Sequence, residues 1–305
     1  MNIFDMHCDT VHEALIRNLP VYENNLHIDF KRMSEYGSYS QFFVIWLENE
    51  EKAWENFEKK AELLDSEIKK NSMIVQKCLS YGDMKNAHKN GKIAAFMSLE
   101  GAYMTEKTED VDYIFEKGVR CVNLTWNPSS RLAGGVEDVG RLTELGKLCI
   151  ERMEKLGMII DVSHLNEESF WDVANTVKKP FIASHSNSKT LCSHNRNLTD
   201  EQFKVICRSG GAAGINFYDI FLKDDGGATI DDIIYHIKHF IKIGGDDFVG
   251  LGSDFDGVSK LPEGIVGIQS MKNIVEALEK NGFSENTIDK ITHLNFERVI
   301  KECVG

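Results

Sequence analysis

The chain lacks the marks of several large protein classes. Its seven cysteines, at positions 8, 78, 121, 149, 192, 207 and 303, include no close pair and are odd in number. That fits reduced thiols better than a disulfide framework and points to a reducing, cytoplasmic compartment. Proline occurs only four times, and no low-complexity or linker-like stretch interrupts the chain, so a domain boundary has nothing to rest on and residues 1–305 read as one domain. Basic residues are also short: 35 Lys plus Arg face 48 Asp plus Glu, a formal charge of −13. Such a surface repels a phosphate backbone, which removes nucleic acid from the expected partners. No apolar run approaches the roughly 18 residues that span a bilayer, and Met1-Asn2-Ile3-Phe4-Asp5-Met6-His7 offers neither the positive segment nor the apolar segment of an export signal. The expectation is a soluble protein with no membrane partner.

What is present is a repeating alternation. A hydrophobic content of 42% can bury a large core. Short runs rich in β-branched and aromatic residues alternate with longer, charged, helix-period stretches, the pattern of βα units around a parallel sheet. Candidate strands are Ile3 to Met6, Gln41 to Leu47, Ile93 to Leu99, Arg120 to Leu124, Met158 to Val162, Phe181 to Ser184, Gly211 to Phe217 and Phe248 to Gly252. Eight is the number that closes a (β/α)8 TIM barrel. Helices are expected over 50–71, 109–117, 143–156, 167–177, 200–208, 230–243, 270–281 and 285–302. Asn166, Thr199 and Ser284 suit N-caps, and Gly118, Gly157, Gly244 and Gly282 follow helical stretches as C-caps do.

In a parallel barrel the C-terminal strand ends face the active site, so the polar residue closing each apolar run carries the most information. Strand one ends in His7-Cys8-Asp9, strand three in Glu100, strand five in Ser163-His164, strand six in His185 and strand eight in Asp254. Strand residues two apart share a face, so His7 and Asp9 can chelate one ion while Cys8 turns away. His164 and His185 end successive strands and can hold a second ion, and the Glu100 carboxylate lies between the pairs and can bridge both. Imidazole nitrogen with carboxylate oxygen suits Zn2+, and five ligands with one shared describe a binuclear centre. Any one of these residues alone would read as a satisfied polar group; the set is what argues for a metal site. Asp254, in Gly252-Ser253-Asp254-Phe255-Asp256-Gly257, can exchange protons with an activated water. Asp256 is its rival, with a turn-forming Asx residue before Gly257 as the plainer reading. His12, His27, His88, His236, His239 and His293 fall in predicted helices or loops and are assigned no ligand role, and His194 stays ambiguous.

These residues, with Asp5-Met6-His7-Cys8-Asp9, Ser98-Leu99-Glu100-Gly101, Asp161-Val162-Ser163-His164, Ala183-Ser184-His185-Ser186, Asn195-Arg196-Asn197-Leu198 and Ile215-Asn216-Phe217-Tyr218 in this order and spacing, carry a resemblance that runs from Ile3 to the C-terminal helix. The chain resembles the renal, or membrane, dipeptidase family of zinc metallopeptidases, an amidohydrolase-like barrel, in a soluble bacterial-type form. The resemblance implies two Zn2+ per chain, one held by His7, Asp9 and Glu100 and the other by Glu100, His164 and His185, with Asp254 as the proton-transfer carboxylate. It further implies that Arg196 and the Tyr218 region grip the free carboxylate of a dipeptide, whose peptide bond a metal-bridging hydroxide attacks, with D-residues accepted at the C-terminal position, and that the protein forms a homodimer. Without the resemblance, Arg196 would read as a solvated loop charge.

One position departs from the family pattern. Many members have His after the Leu-Thr pair that ends strand four, where this chain reads Leu124-Thr125-Trp126-Asn127. An indole donates one hydrogen bond and cannot become cationic, so Trp126 leaves stabilisation of the oxyanion more to the metal, or forms a substrate-packing wall, or belongs to the core. Two rival readings stand beside dipeptide hydrolysis: cleavage of another amide or lactam, such as an N-acyl amino acid, on the same centre, and a metal-binding barrel without turnover.

Overall fold

Strands whose residues alternate between two apolar surroundings must be covered on both sides, and that requirement sets the architecture. In the computed structural model, which describes residues 1–305, the chain runs β1 (Asn2–Cys8), α1 (Thr10–Arg17), α2 (Phe30–Met33), β2 (Ser38–Trp46), α3 (Ala53–Lys70), β3 (Val75–Lys77), α4 (Tyr81–Lys89), β4 (Ile93–Glu100), α5 (Thr108–Glu116) and β5 (Val119–Asn123). It continues α6 (Glu144–Leu156), β6 (Ile159–Asp161), α7 (Glu167–Thr176), α8 (Asp200–Ser209), β7 (Ala213–Ile215), α9 (Asp219–Leu222), α10 (Ile230–Gly244), β8 (Val249–Leu251), α11 (Met271–Lys280), α12 (Glu285–Asp289) and α13 (Asn295–Cys303). The strands pair in parallel in the order β6-β5-β4-β2-β1-β8-β7, and single bridges from 181–184 to Asp161 and Ala213 complete the ring of a (β/α)8 barrel.

β4 shows how the sequence specifies its two faces. Ile93, Ala95, Met97 and Leu99 join the large core under the helices, while Ala94 and Phe96 face the barrel interior. There Phe4, Phe42 and Phe96 stack with ring centroids 5.1–6.1 Å apart. Phe296 of α13 closes the floor, 6.1 Å from Phe4. β1 carries a bulge: Asp5 pairs with Gln41 and Cys8 with Phe43, so β1 uses one residue more than β2 over that stretch. The extra residue lets Phe4 and Met6 enter the inner cluster and Cys8 the helix-facing core, with His7 still presented at the mouth.

Three expected N-caps form: Asn166, Thr199 and Ser284 accept backbone N–H bonds from Ser169, Gln202 and Thr287 at 2.8, 3.2 and 3.1 Å. Gly157 caps α6 in the left-handed conformation at φ 81°. Elsewhere the structure corrects the sequence reading. Gly244 is the last helical residue of α10, and Gly245 makes the turn at φ 96°. The expected strand over Phe181 to Ser184 forms only isolated bridges, because Pro180 has no N–H and the Ser184 N–H goes to the Asp161 carboxylate at 3.0 Å instead of to a ladder. The expected helix over 285–302 is broken by a π-helical turn, Lys290–Leu294. β3 and the helices α1, α2, α4 and α9 were not expected. β3 pairs with the start of β4, where β5 does not reach.

The stacked rings in the interior set a stability test. F96A removes a fully buried side chain and should lower unfolding free energy by about 3–5 kcal/mol in urea denaturation, the usual cost of a buried Phe truncation; a loss under 1 kcal/mol would show that the interior is not close-packed there.

Candidate metal centre

The bulge in β1, the end of β4 and the turns after β6, 181–184 and β8 bring His7, Asp9, Glu100, His164, His185 and Asp254 to one place, all buried. Glu100 Oε2 lies at the centre: His164 Nε2 is 3.3 Å away, and His7 Nε2 and His185 Nε2 are each 3.6 Å away. His7 Nε2 is also 3.4 Å from Asp9 Oδ2 and 3.9 Å from Asp254 Oδ1. The tightest donor groupings are His7 with Glu100 and His185, and His7 with Asp9 and Asp254, each within 4.8 Å. His7 is thus common to both, so the geometry does not divide neatly along the strand order.

Second contacts fix these side chains. His185 Nδ1 meets Ser184 Oγ at 2.6 Å, and His164 Nδ1 meets Asn127 Oδ1 at 2.8 Å. Asn216 donates to Asp254 Oδ2 at 2.9 Å, leaving Oδ1 turned to His7. His164, Asp254 and Asp256 all hold left-handed backbone, at φ 72°, 60° and 68°. Gly257 packs so closely over the site that a Cβ there would lie 2.2 Å from Asp9 Oδ2 and 2.3 Å from Asp254 Oδ1.

The residues present fit a divalent cation. Glu100 Oε2 is buried without a hydrogen-bond partner, which is costly for a carboxylate oxygen unless a cation satisfies it. His164 Nε2 and His185 Nε2 face each other at 2.9 Å, close enough for both lone pairs to serve one ion. Burial would lower the His7 imidazolium, but Glu100, Asp9 and Asp254 outweigh it and push His7 up to about 10. Burial drives Glu100 well above the usual carboxylate range, with His7 opposing. It raises Asp254 to about 6. Burial, aided by Arg196 and His7, holds His164 and His185 well below an ordinary imidazole.

The cluster forms the floor of a cavity of about 310 Å3, also lined by Trp126, Arg196 and Tyr218. Arg196 is buried with Nε and Nη2 unpartnered, and its guanidinium lies 5.7 Å from the Phe221 ring centre. Trp126 meets Trp46 edge-on at 5.0 Å, Trp46 in turn meets His12 edge-on at 4.7 Å, and all three line the cavity, with Trp126 only partly buried. Tyr218 bonds Ser259 Oγ at 3.0 Å. Asp256 accepts from Thr10 Oγ1 and the His27 N–H, both at 2.6 Å, and so ties the 25–29 loop to the mouth as a turn residue does. Glu13, Trp46 and Asn127 line the cavity without having been singled out in the sequence, and His12, assigned no ligand role there, lines it too. Trp46 closes β2, so the strand-end rule could have found it, whereas Asn127 lies four residues beyond the end of β5 and is placed by its loop.

A parallel barrel with imidazoles and carboxylates gathered at the C-terminal strand ends defines a metal-dependent hydrolase. The family model for membrane dipeptidases, peptidase family M19, matches residues 1–304, and the chain belongs to that family. An uncharacterized protein in the pqqA 5' region of Klebsiella pneumoniae is 36% identical over 237 residues, covering 73% of this chain and 87% of the relative. Among solved structures, the metallopeptidase dipeptidase AC superposes with TM-score 0.94 at 26% identity over 100% of this chain and 99% of its own. A metallopeptidase from Rhodobacter sphaeroides, liganded with a phosphinate mimic of the dipeptide L-Ala-D-Ala, superposes with TM-score 0.93 at 26% identity over 99% of each chain.

The charge balance at the site sets a pH test. Metal ligands must give up their protons, and without ions His7 keeps its proton up to about 10. Apparent affinity for a divalent ion should therefore keep climbing between about pH 7 and 9, with protons released, instead of levelling off above an ordinary imidazole pKa of about 6.5. Chelator competition across pH checks this; a plateau above pH 7 would show that His7 holds no such proton.

Proposed function

We propose that the protein is a cytoplasmic binuclear zinc dipeptidase that hydrolyses dipeptides with a free C-terminal carboxylate, including those with a D-residue at that position. The observation that carries this reading is the buried, unpartnered guanidinium of Arg196 in the same cavity as the imidazole and carboxylate cluster. Two N–H groups buried without acceptors suit a ligand that brings two oxygens, and the planar fork of Arg meets a carboxylate with parallel hydrogen bonds. A cavity of about 310 Å3 sits at the small end of ligand sites and holds a dipeptide better than a longer chain. Seven unpaired thiols support the reducing compartment, and no helix is long and apolar enough to cross a membrane.

His7, Asp9 and Glu100 would hold one zinc, and Glu100, His164 and His185 the other. When bound, the ions supply Lewis acidity at the scissile carbonyl and bring the pKa of water toward about 7. Arg196 binds the substrate carboxylate and sets the distance from it to the peptide bond. Asp254 Oδ1, left without a hydrogen bond because Asn216 takes Oδ2, accepts a proton from the attacking water and returns it to the departing amine. Its raised pKa, about 6, suits a group that must both take and give a proton near neutrality. Trp126 packs against the substrate in place of a polar side chain, so the oxyanion receives no cationic imidazole from this wall.

Kinetics on a panel of dipeptides with L or D C-terminal residues, run beside N-acyl amino acids and lactams, tests the reading; turnover of the latter classes alone would replace it with another amide hydrolysis, and no turnover with zinc-saturated protein would leave a non-catalytic barrel. R196M should lower kcat/KM on dipeptides by roughly 30- to 1,000-fold, the 2–4 kcal/mol of a lost buried charge pair, and unchanged kinetics would remove Arg196 from the mechanism. D254N should cut kcat by about 10²–10⁴ with KM changed far less; a variant with wild-type kcat would show that the proton moves elsewhere.

A further inference from the structure

The loop between β5 and α6 is stitched to His164 at three levels. Its Val136 N–H donates to the His164 carbonyl at 2.9 Å, and Gly135 and Leu165 form an antiparallel bridge. Asn127, where the loop leaves β5, is held from both sides by Glu137. The Asn127 carbonyl accepts the Glu137 N–H at 3.1 Å, and the Asn127 Nδ2 donates to Glu137 Oε1 at 3.1 Å. Gly135 makes this fold possible, since a Cβ there would lie 2.3 Å from the Asn127 carbonyl oxygen. The third stitch is the contact of Asn127 Oδ1 with His164 Nδ1 at 2.8 Å.

The direction of that last bond follows from chemistry. A carboxylate can only accept, so the Asn127 end facing Glu137 is the NH2 and the end facing His164 is the oxygen. An amide oxygen can only accept, so His164 Nδ1 carries the proton. A neutral imidazole has one proton, and Nε2, the nitrogen that faces Glu100 and His185, is left as a bare lone pair. Were the amide reversed, its oxygen would meet the Glu137 carboxylate, its NH2 would demand a lone pair at Nδ1, and the proton would move to Nε2, where it would occupy the ligand position.

We propose that Asn127 is a positioning residue for His164: its amide oxygen, oriented by Glu137, holds the imidazole in the one tautomer that can bind a divalent ion through Nε2. This rests on the metal centre of the proposed function. It also gives the half-buried Asn127 and the exposed Glu137 a part in the site that neither would have as a plain loop contact. Outer partners of metal-bound imidazoles act in this way and are worth about 10–100-fold in metal affinity.

The test uses the full chain stripped of metal and titrated with Zn2+ against a chromophoric chelator, alongside 15N NMR of the histidine side chains in the metal-free protein. N127L, close in shape but without the oxygen, should weaken one zinc equivalent by about 10–100-fold, leave the other within a few-fold, and move the His164 proton off Nδ1 in part of the population. N127D/E137Q rebuilds the same arrangement with a carboxylate oxygen toward His164 and an amide donor toward it from residue 137, and should bind both equivalents within about threefold of the parent. E137A, a change at an exposed position, should give a mixture of His164 tautomers and an intermediate loss, and carries the test if N127L does not fold. Unchanged zinc affinity and tautomer in N127L, or in E137A if that stands alone, overturns the proposal. Equal loss in N127L and N127D/E137Q overturns it as well, because the loop and not the acceptor would then matter. Failure of the parent protein to bind any zinc is a different result and would sink the reading of the site itself.

Discussion

A carboxylate oxygen sealed from water among three imidazoles is the constraint around which the mouth of this barrel is organised. Taking a charged group out of water costs several kcal/mol even after relaxation, and Glu100 Oε2 has no hydrogen-bond partner in the protein, with chiefly the charge of His7 nearby to oppose the cost. The surrounding structure makes sense as the frame that holds such an arrangement in place. Two further buried carboxylates lie just upstream of His7 and His164 and bond the segments beside them, Asp5 taking both the N–H and the hydroxyl of Ser253 and Asp161 taking backbone N–H groups. Asp5 accepts the Ser253 N–H at 2.8 Å and so ties β1 to the turn after β8. Asp161 Oδ1 accepts the N–H groups of Ser163 and Ser184, each at 3.0 Å, and so ties β6 to the segment that carries His185. Neighbouring strand ends are therefore clamped one layer beneath the residues that must converge.

Backbone strain is concentrated in the same place. His164, Asp254 and Asp256 are three of the five residues other than glycine with positive φ, a conformation that costs of order 1–3 kcal/mol each and persists only where the surroundings impose it. Here they do: the His164 carbonyl is held by the Val136 N–H, the Asp254 N–H by the His7 carbonyl at 3.1 Å, and Asp256 by Thr10 and His27. The contacts that define the site also stabilise its most unfavourable backbone.

Much of this was legible in the residues because the barrel converts chain position into spatial position. A polar residue ending an apolar run must sit at the C-terminal mouth, so the convergence of residues near positions 7, 100, 164, 185 and 254 follows from strand ends alone. The failures have local causes. The stretch Phe181 to Ser184 reads as a strand, yet a side chain, Asp161, takes the N–H that a ladder would need. β3 has three residues and α4 little apolar surface, too little pattern to register. The bulge in β1 is invisible because Phe4, Met6 and His7 read as an ordinary run. Asn127 escaped for another reason: it reaches His164 only through a loop whose fold depends on Gly135 and Glu137, partners no spacing rule connects.

The first strand pairs with the last: Asp5 lies opposite Leu251, and Cys8 bridges to Phe255. The ring therefore closes only when segments some 250 positions apart in the chain meet, and His7 and Asp9 gain their neighbours after β8 at that step. Loop closure on that scale is slow and leaves apolar strand edges exposed in the interval. The gathering of side chains at the mouth is thus bound to the last step of barrel closure, because the strand that carries His7 and the turn that carries Asp254 are neighbours only once the ring is shut.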